Sequence, residues 1–166
     1  MECGSLVIAD ASVLIDLYNG GVLDAALRLP LSWAVVEAVA AVELLSPSFA
    51  YLLDHGVTAI TPDPTDAPMA RRFRTKHKGL SAQDCLTLAV CVRLGAVLLT
   101  GDQVLRRVAA GEGLEVRGTL WVLDELVARA VIQPSQAASA LERMLESGSR
   151  LPWGPCRARL KVWRER

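Results

Sequence analysis

Four acidic side chains in this sequence stand where they could do chemistry together. Asp10 ends the apolar run LVIA (6–9), and Asp102 follows the run AVLL (96–99) after Thr100-Gly101. Asp84 opens an apolar helical stretch in Leu80-Ser81-Ala82-Gln83-Asp84, and Glu43 lies in AVAAVELL. In open α/β sheets functional groups collect just beyond the carboxyl ends of the strands. The three aspartates are therefore expected at one end of one sheet. Each acid alone has a plainer role. Asp10 and Asp102 would cap the helices that follow them, Ser81-x-x-Asp84 fits a capping box, and Glu43 would be an exposed residue beside its helix's apolar stripe. Together they say more, because carboxylates at close quarters raise one another's pKa and destabilise the fold unless a cation compensates. Hard divalent cations take carboxylate oxygens, and Mg²⁺ keeps several waters beside one or two of them. Metal-assisted phosphodiester hydrolysis is the chemistry such a group suits, since a metal generates the nucleophile from water and neutralises charge on the phosphate.

Other site types lack their signals. No GxxxxGK[ST] loop, GxGxxG fingerprint or GxSxG elbow occurs, and Gly111-Glu112-Gly113 is too short to count. His55-Gly56 reads as a helix end. His77 lies in a basic run, solvated or facing phosphate, and neither histidine has a Ser or Cys partner in pattern. Cys3, Cys85, Cys91 and Cys156 form no CxxC pair, so reduced thiols in a cytosolic protein are expected rather than zinc. The N-terminus lacks a basic n-region, and LVIADASVLIDL is broken twice by Asp, so neither a signal peptide nor a membrane span is expected.

The elements that must position these acids alternate. Apolar runs at 6–9, 33–36, 57–60, 96–99 and 114–116 read as strands, continuous in apolarity because both faces are buried. Helical patterns fill the gaps. One covers 12–19 and stops at Gly20-Gly21. A second covers 37–53, with Ala38, Val42, Leu45, Phe49 and Leu52 as its stripe and Pro47 as a break point. A basic third covers 67–78, and an apolar fourth covers 81–94. After Gly118 only helices follow, at 120–130, 134–146 and 155–164. The expectation is an α/β fold over residues 1–117, with a helical C-terminal extension at 118–166.

VIADASVLIDL, an acid in a later helix, and LSAQDCLTLAVCVRLGAVLLTGDQVLRRVA together resemble the PIN-domain family. The last stretch carries most of the resemblance: D-x-x-x-x-A opening a helix, then Gly-Ala, a strand, and T-G-D-x-x-L-R. The resemblance covers most of residues 5–117. It implies a three-layer α/β/α sandwich around a parallel sheet and a Mg²⁺- or Mn²⁺-dependent ribonuclease site. The family's metal-holding acids correspond to Asp10, Glu43, Asp84 and Asp102, with Ser12 and Thr100 at the small hydroxyl positions beside them. Glu37 shares Glu43's helical segment, but Glu43 has the family's context, and Glu37 reads as a first-turn dipole partner. Many prokaryotic members are VapC-type toxins, dimeric and silenced by an antitoxin. The extension GTLWVLDELVARAVIQPSQAASALERMLESG departs from these compact toxins and resembles a group with extra C-terminal helices.

The charge balance fits an RNA substrate better than its sum does. With 18 basic and 18 acidic residues the formal net charge is zero. Residues 1–70 nevertheless hold nine acids and one base, and residues 71–166 hold seventeen bases and nine acids. Arg71, Arg72, Arg74, Lys76 and Lys78 form one run, and the last seventeen residues form another, with Trp153 and Trp163 among the bases. These read as a solvated helix face and tail, or as phosphate contacts of no sequence preference. The expected activity is a metal-dependent endoribonuclease, cytoplasmic and dimeric, possessing an antitoxin partner if it is a toxin. The rival readings are a catalytically idle PIN-like RNA- or partner-binding module and a phosphatase or receiver-like domain on the same carboxylates.

Overall fold

In the computed structural model, which describes residues 4–165, five short apolar segments form one parallel sheet. They are β1 (Leu6–Ala9), β2 (Ser32–Val36), β3 (Thr58–Ile60), β4 (Val97–Leu99) and β5 (Val116–Arg117). Their order across the sheet is β3-β2-β1-β4-β5, and every pairing is parallel. The chain steps one way from β1 to β3 and the other way from β4 to β5. Connections on either side of the β1/β4 pair therefore diverge, and a crevice opens where these two strands end.

Side chains alternate across a strand, and here the alternation sorts them into two cores. Val7, Trp33, Val35, Val97 and Leu99 face one layer, with Leu14, Leu17, Leu123, Leu141 and Met144. Ile8, Ala34, Val36 and Leu98 face the other, with Phe73, Leu88 and Leu105. The first layer holds α1 (Ala11–Asn19), α2 (Leu23–Leu27), α8 (Thr119–Ala128), α9 (Pro134–Glu146) and α10 (Trp153–Arg164). The second holds α5 (Asp66–Lys76), α6 (Ala82–Leu94) and α7 (Gln103–Gly111). This is the expected three-layer sandwich with C-terminal helices. Helices α8 and α9 pack on α1 and α2, α10 packs on α9, and Cys156 and Trp163 of α10 belong to the same buried cluster as Val7 and Ala9 of β1.

Local signals set the ends of the elements near the crevice. Ser81 and Asp84 close a capping box at the start of α6, and Gly95 ends that helix in the left-handed region at φ +60°. The α9 helix begins at Pro134. At its far end Gly148, at φ +88°, sends its N–H to the Leu145 carbonyl, and the Ser149 N–H reaches Met144. That pair of bonds is a Schellman turn.

Residues 37–53 depart from the expected single stripe. Helix α3 (Glu37–Glu43) stops, Leu44 is extended, and α4 (Phe49–Asp54) starts after a turn containing Pro47. Proline has no N–H and disfavours helix in the residue before it, which accounts for the break. In α3 and just after it the buried side chains are Val39, Ala40 and Leu44, whereas Ala38, Val42 and Leu45 face solvent, with Val42 67% and Leu45 89% exposed. In α4 the expected Leu52 is buried and Phe49 partly so. The segment AVAAV is apolar on every side, so its pattern selects no face and contact with the sheet does. Helix α2 is too short to show a period. Cys85, Cys91 and Cys156 are buried free thiols, and Cys3 lies outside the described residues.

An ion pair fixes the helix that carries Asp84. Arg93, late in α6, donates from Nε and Nη2 to the two carboxylate oxygens of buried Asp66 at the start of α5, both at 2.8 Å. The Arg93 guanidinium holds Asp66 below the usual carboxylate range, so this contribution is full above that range and lost as pH falls through the lowered value. Arg93→Met should lower the thermal midpoint at neutral pH by stranding a buried carboxylate. The loss should shrink as acid protonates Asp66, and a pH-independent loss in a thermal melt series would contradict this role.

Candidate active site

The crevice at the β1/β4 ends is built around Asp10. Its N–H donates to the Leu99 carbonyl at 2.8 Å, extending the ladder one residue past β1. Asp10 occupies the N-cap position of α1 with extended backbone, yet its side chain makes no cap bond. Instead Oδ2 accepts from Ser12 Oγ at 2.7 Å and from Thr100 Oγ1 at 2.9 Å. Thr100 is fully buried, and its hydroxyl also accepts the Asp102 N–H at 3.1 Å. One hydroxyl thus binds the ends of two strands together.

The other two aspartates do cap helices. Asp102 Oδ1 accepts from the Leu105 N–H at 2.7 Å, and Asp84 Oδ2 from the Ser81 N–H at 2.7 Å. A carboxylate offers roughly four acceptor sites, so capping leaves capacity on both. Asp10, Asp84 and Asp102 line one cavity of about 580 Å³.

Electrostatics tie Glu43 to this group from outside the cavity lining. Burial pushes the Glu43 carboxyl up, and the charges of Asp10 and Asp84 push it further. Asp10 is raised chiefly by burial; Ser12 and Thr100 oppose that, and Asp84 adds to it. Glu37 points elsewhere, accepting from Thr61 Oγ1 at 2.8 Å.

A family model described as a PIN domain matches residues 6–165. This chain belongs to the PIN-domain family. Comparison with curated proteins and with solved structures gave no match. PIN domains are generally nucleases that use divalent metals such as Mg²⁺ or Mn²⁺.

The basic run of this PIN domain does not reach the carboxylate cavity. Arg71, Arg72, Arg74 and Lys76 lie on α5, and Lys78 follows it. Arg72 and Lys76 pair with Glu112, Arg74 donates to the Leu80 carbonyl, and Lys76 and His77 line a separate cavity of about 340 Å³. The cation that does line the carboxylate cavity is Arg150. It stands with Ser147, Gly148, Ser149 and Leu151 in the turn between α9 and α10, which forms one wall. Asp16, buried in α1 and also lining the cavity, accepts from Thr119 Oγ1 at 2.9 Å. Burial pushes Asp16 up, opposed by the Ser149 and Thr119 side chains, so α1, the start of α8 and this turn meet at one polar point. Gly148 is visible in sequence as a helix stop; nothing local places the following turn over the distant strand ends.

Among the described residues no group of three or more His, Cys, Asp or Glu side chains is drawn together as a ready-made metal cage. The donors around the cavity are nevertheless all oxygen: carboxylates backed by hydroxyls. Such a set fits Mg²⁺ or Mn²⁺, which is held by one or two carboxylates and water rather than by an all-protein cage.

Asp10 and Asp84 should separate in a mutational test of stability without divalent metal. A raised pKa means that folding favours the protonated form, so the Asp10 contribution falls as pH rises through the raised value. Asp10→Asn, which can still accept from Ser12 and Thr100, should equal or exceed the parent's thermal midpoint at pH 7. Asp84→Ala should lose about 1 kcal/mol, the usual worth of an N-terminal cap. A marked loss for Asp10→Asn at neutral pH would make Asp10 a structural residue.

Proposed function

We propose that this PIN domain is a divalent-metal-dependent endoribonuclease acting on single-stranded RNA. The observation that carries the reading is the meeting of Asp10, Asp84 and Asp102, from three separate elements, along one cavity at the strand switch point. Asp10, Asp84 and Asp102 would hold Mg²⁺ or Mn²⁺, and Glu43 would join them directly or through water. When bound, the metal supplies a water of lowered pKa and neutralises charge on the phosphate. The chain's own side chains set the geometry. Ser12 and Thr100 fix the Asp10 carboxylate, Ser81 and Leu105 fix Asp84 and Asp102 through their caps, and Arg150, on the lining of the same cavity, would meet the phosphate. Residues 1–117 act as the nuclease core, and residues 118–166 as the extension that both packs on it and supplies that part of the lining. Arg71, Arg72, Arg74, Lys76 and Lys78 act at a distance, drawing a polyanion toward the protein.

A toxin role within a toxin–antitoxin pair, in the cytoplasm and as a homodimer, is the finer form of this reading. Val42 and Leu45 favour a partner surface, since both are apolar, exposed and on either side of Glu43. No helix among the described residues is long and apolar enough to cross a membrane. An idle binding module would share the fold, but it would have no use for three aspartates along one cavity.

Cleavage of a single-stranded RNA in Mn²⁺ decides between activity and idleness. Asp84→Asn keeps an acceptor for the Ser81 cap and should stay folded, yet lose roughly a hundredfold or more in rate, as expected for a lost metal-holding charge. Equal cleavage by parent and variant, or no cleavage by the parent, would contradict the proposal.

A further inference from the structure

Beside the carboxylate cavity lies a second one, of about 250 Å³, and the two share Gly101, Gln103 and Leu151 as their common wall. Their charges are opposite. The first is lined by four aspartates and one arginine, the second by Arg106 and Arg117 without any acid. The indole of Trp121 completes the second cavity, half-buried, with the Arg117 guanidinium 5.9 Å from its ring centre.

Arg106 is held in this place by the backbone. Its Nη2 donates to the Thr100 carbonyl at 2.9 Å, on the residue whose hydroxyl holds Asp10. A Cβ at Gly118 would lie 2.6 Å from that same nitrogen, so the bare glycine is what admits the guanidinium. Burial, and then the charge of Arg117, disfavour a charged Arg106, and a bound anion would offset them by its opposite charge. Arg117 pairs with Glu115 at 2.9 Å, but both side chains are nearly half exposed, and such a pair is weak enough to exchange for a phosphate. The cavity beside Lys76 fits a polyanion less well, because Glu112 lines it and already holds Lys76.

Resting on the ribonuclease reading above, we infer that the cavity framed by Trp121, Arg117 and Arg106 is a nucleotide subsite for the RNA strand next to the phosphate that is cut. A base stacks on the indole, and the flanking phosphate lies between the guanidiniums. Stacking on an aromatic face tolerates any base and requires that base to be unpaired. The subsite therefore selects single strands without reading sequence. Helix α8 contributes Trp121 and the turn between α9 and α10 contributes Leu151, which gives the extension a part in choosing substrate.

Binding measured apart from cleavage tests this. A fluorescent single-stranded oligoribonucleotide is titrated into Asp84→Asn protein in Mg²⁺, and anisotropy is read at several salt concentrations. In that background Trp121→Ala should weaken binding roughly tenfold or more, and Trp121→Phe should restore most of it. Arg117→Gln should weaken binding and lower the salt slope by about one. Trp153→Ala, at a tryptophan 67% exposed that lines neither cavity, should change nothing. Because Trp121 also packs against the core, the surface variant Arg117→Gln decides if Trp121→Ala fails to fold. Unchanged affinity and salt slope, or no binding at all, overturns the subsite. Cleavage by the unmutated chain is scored separately. Binding that needs Trp121 without any cleavage sinks the nuclease reading and keeps the subsite, and cleavage with Trp121-independent binding does the reverse.

Discussion

Bringing three aspartates from separate elements to one cavity at the strand switch point is the constraint around which this protein is organised. The Asp10 and Glu43 carboxyls are raised chiefly by burial, with neighbouring negative charge adding to it, and the fold still brings Asp10 to one cavity with Asp84 and Asp102. The sheet supplies the means. Reversal of strand order at β1/β4 brings Asp10 and Thr100 side by side, and Thr100 then fixes both Asp10 and Asp102 through one hydroxyl. Asp84 arrives on a helix tied to α5 by the ion pair of Arg93 with buried Asp66. Stability is thus supplied away from the site, by two apolar layers and the Asp66–Arg93 pair, while the site holds charge against its own preference.

The same division explains why the caps do not account for all the acids. Asp84 and Asp102 bond helix N–H groups as any capping residue would. Asp10 sits in a capping position without capping, and it recruits two hydroxyls instead. A chain needing only a helix start there had no reason to bury a charge.

Much of this was legible in the sequence because burial leaves a simple mark. Strands covered on both faces are apolar throughout, which made β1, β2 and β4 visible. The partly exposed edge strands β3 and β5 showed as runs at 57–60 and 114–116, the latter overlapping β5 only at Val116. Ser81, Gly95 and Pro134 mark helix ends by chemistry that acts within a few residues. The acids were legible for the same reason, each lying one or two steps past an apolar run or at a cap. What escaped depends on packing between distant segments. Nothing local tells that AVAAV turns Val39 and Ala40 inward, or that a turn near Arg150 roofs the ends of β1 and β4. The charge run at 71–78 was conspicuous but is spent largely on Glu112 and on the Leu80 carbonyl. The quieter pair Arg106 and Arg117 adjoins the site.

Thermal unfolding with and without divalent metal tests most directly whether the carboxylates are held together for a cation. At neutral pH, millimolar Mn²⁺ should raise the parent's midpoint, through a stabilisation of about 2.7 kcal/mol where metal stands at a hundred times its dissociation constant. The rise should vanish in Asp10→Asn and shrink as acid protonates the group. A midpoint indifferent to Mn²⁺ and Mg²⁺ in the parent, or one that rises equally in Asp10→Asn, would contradict the account.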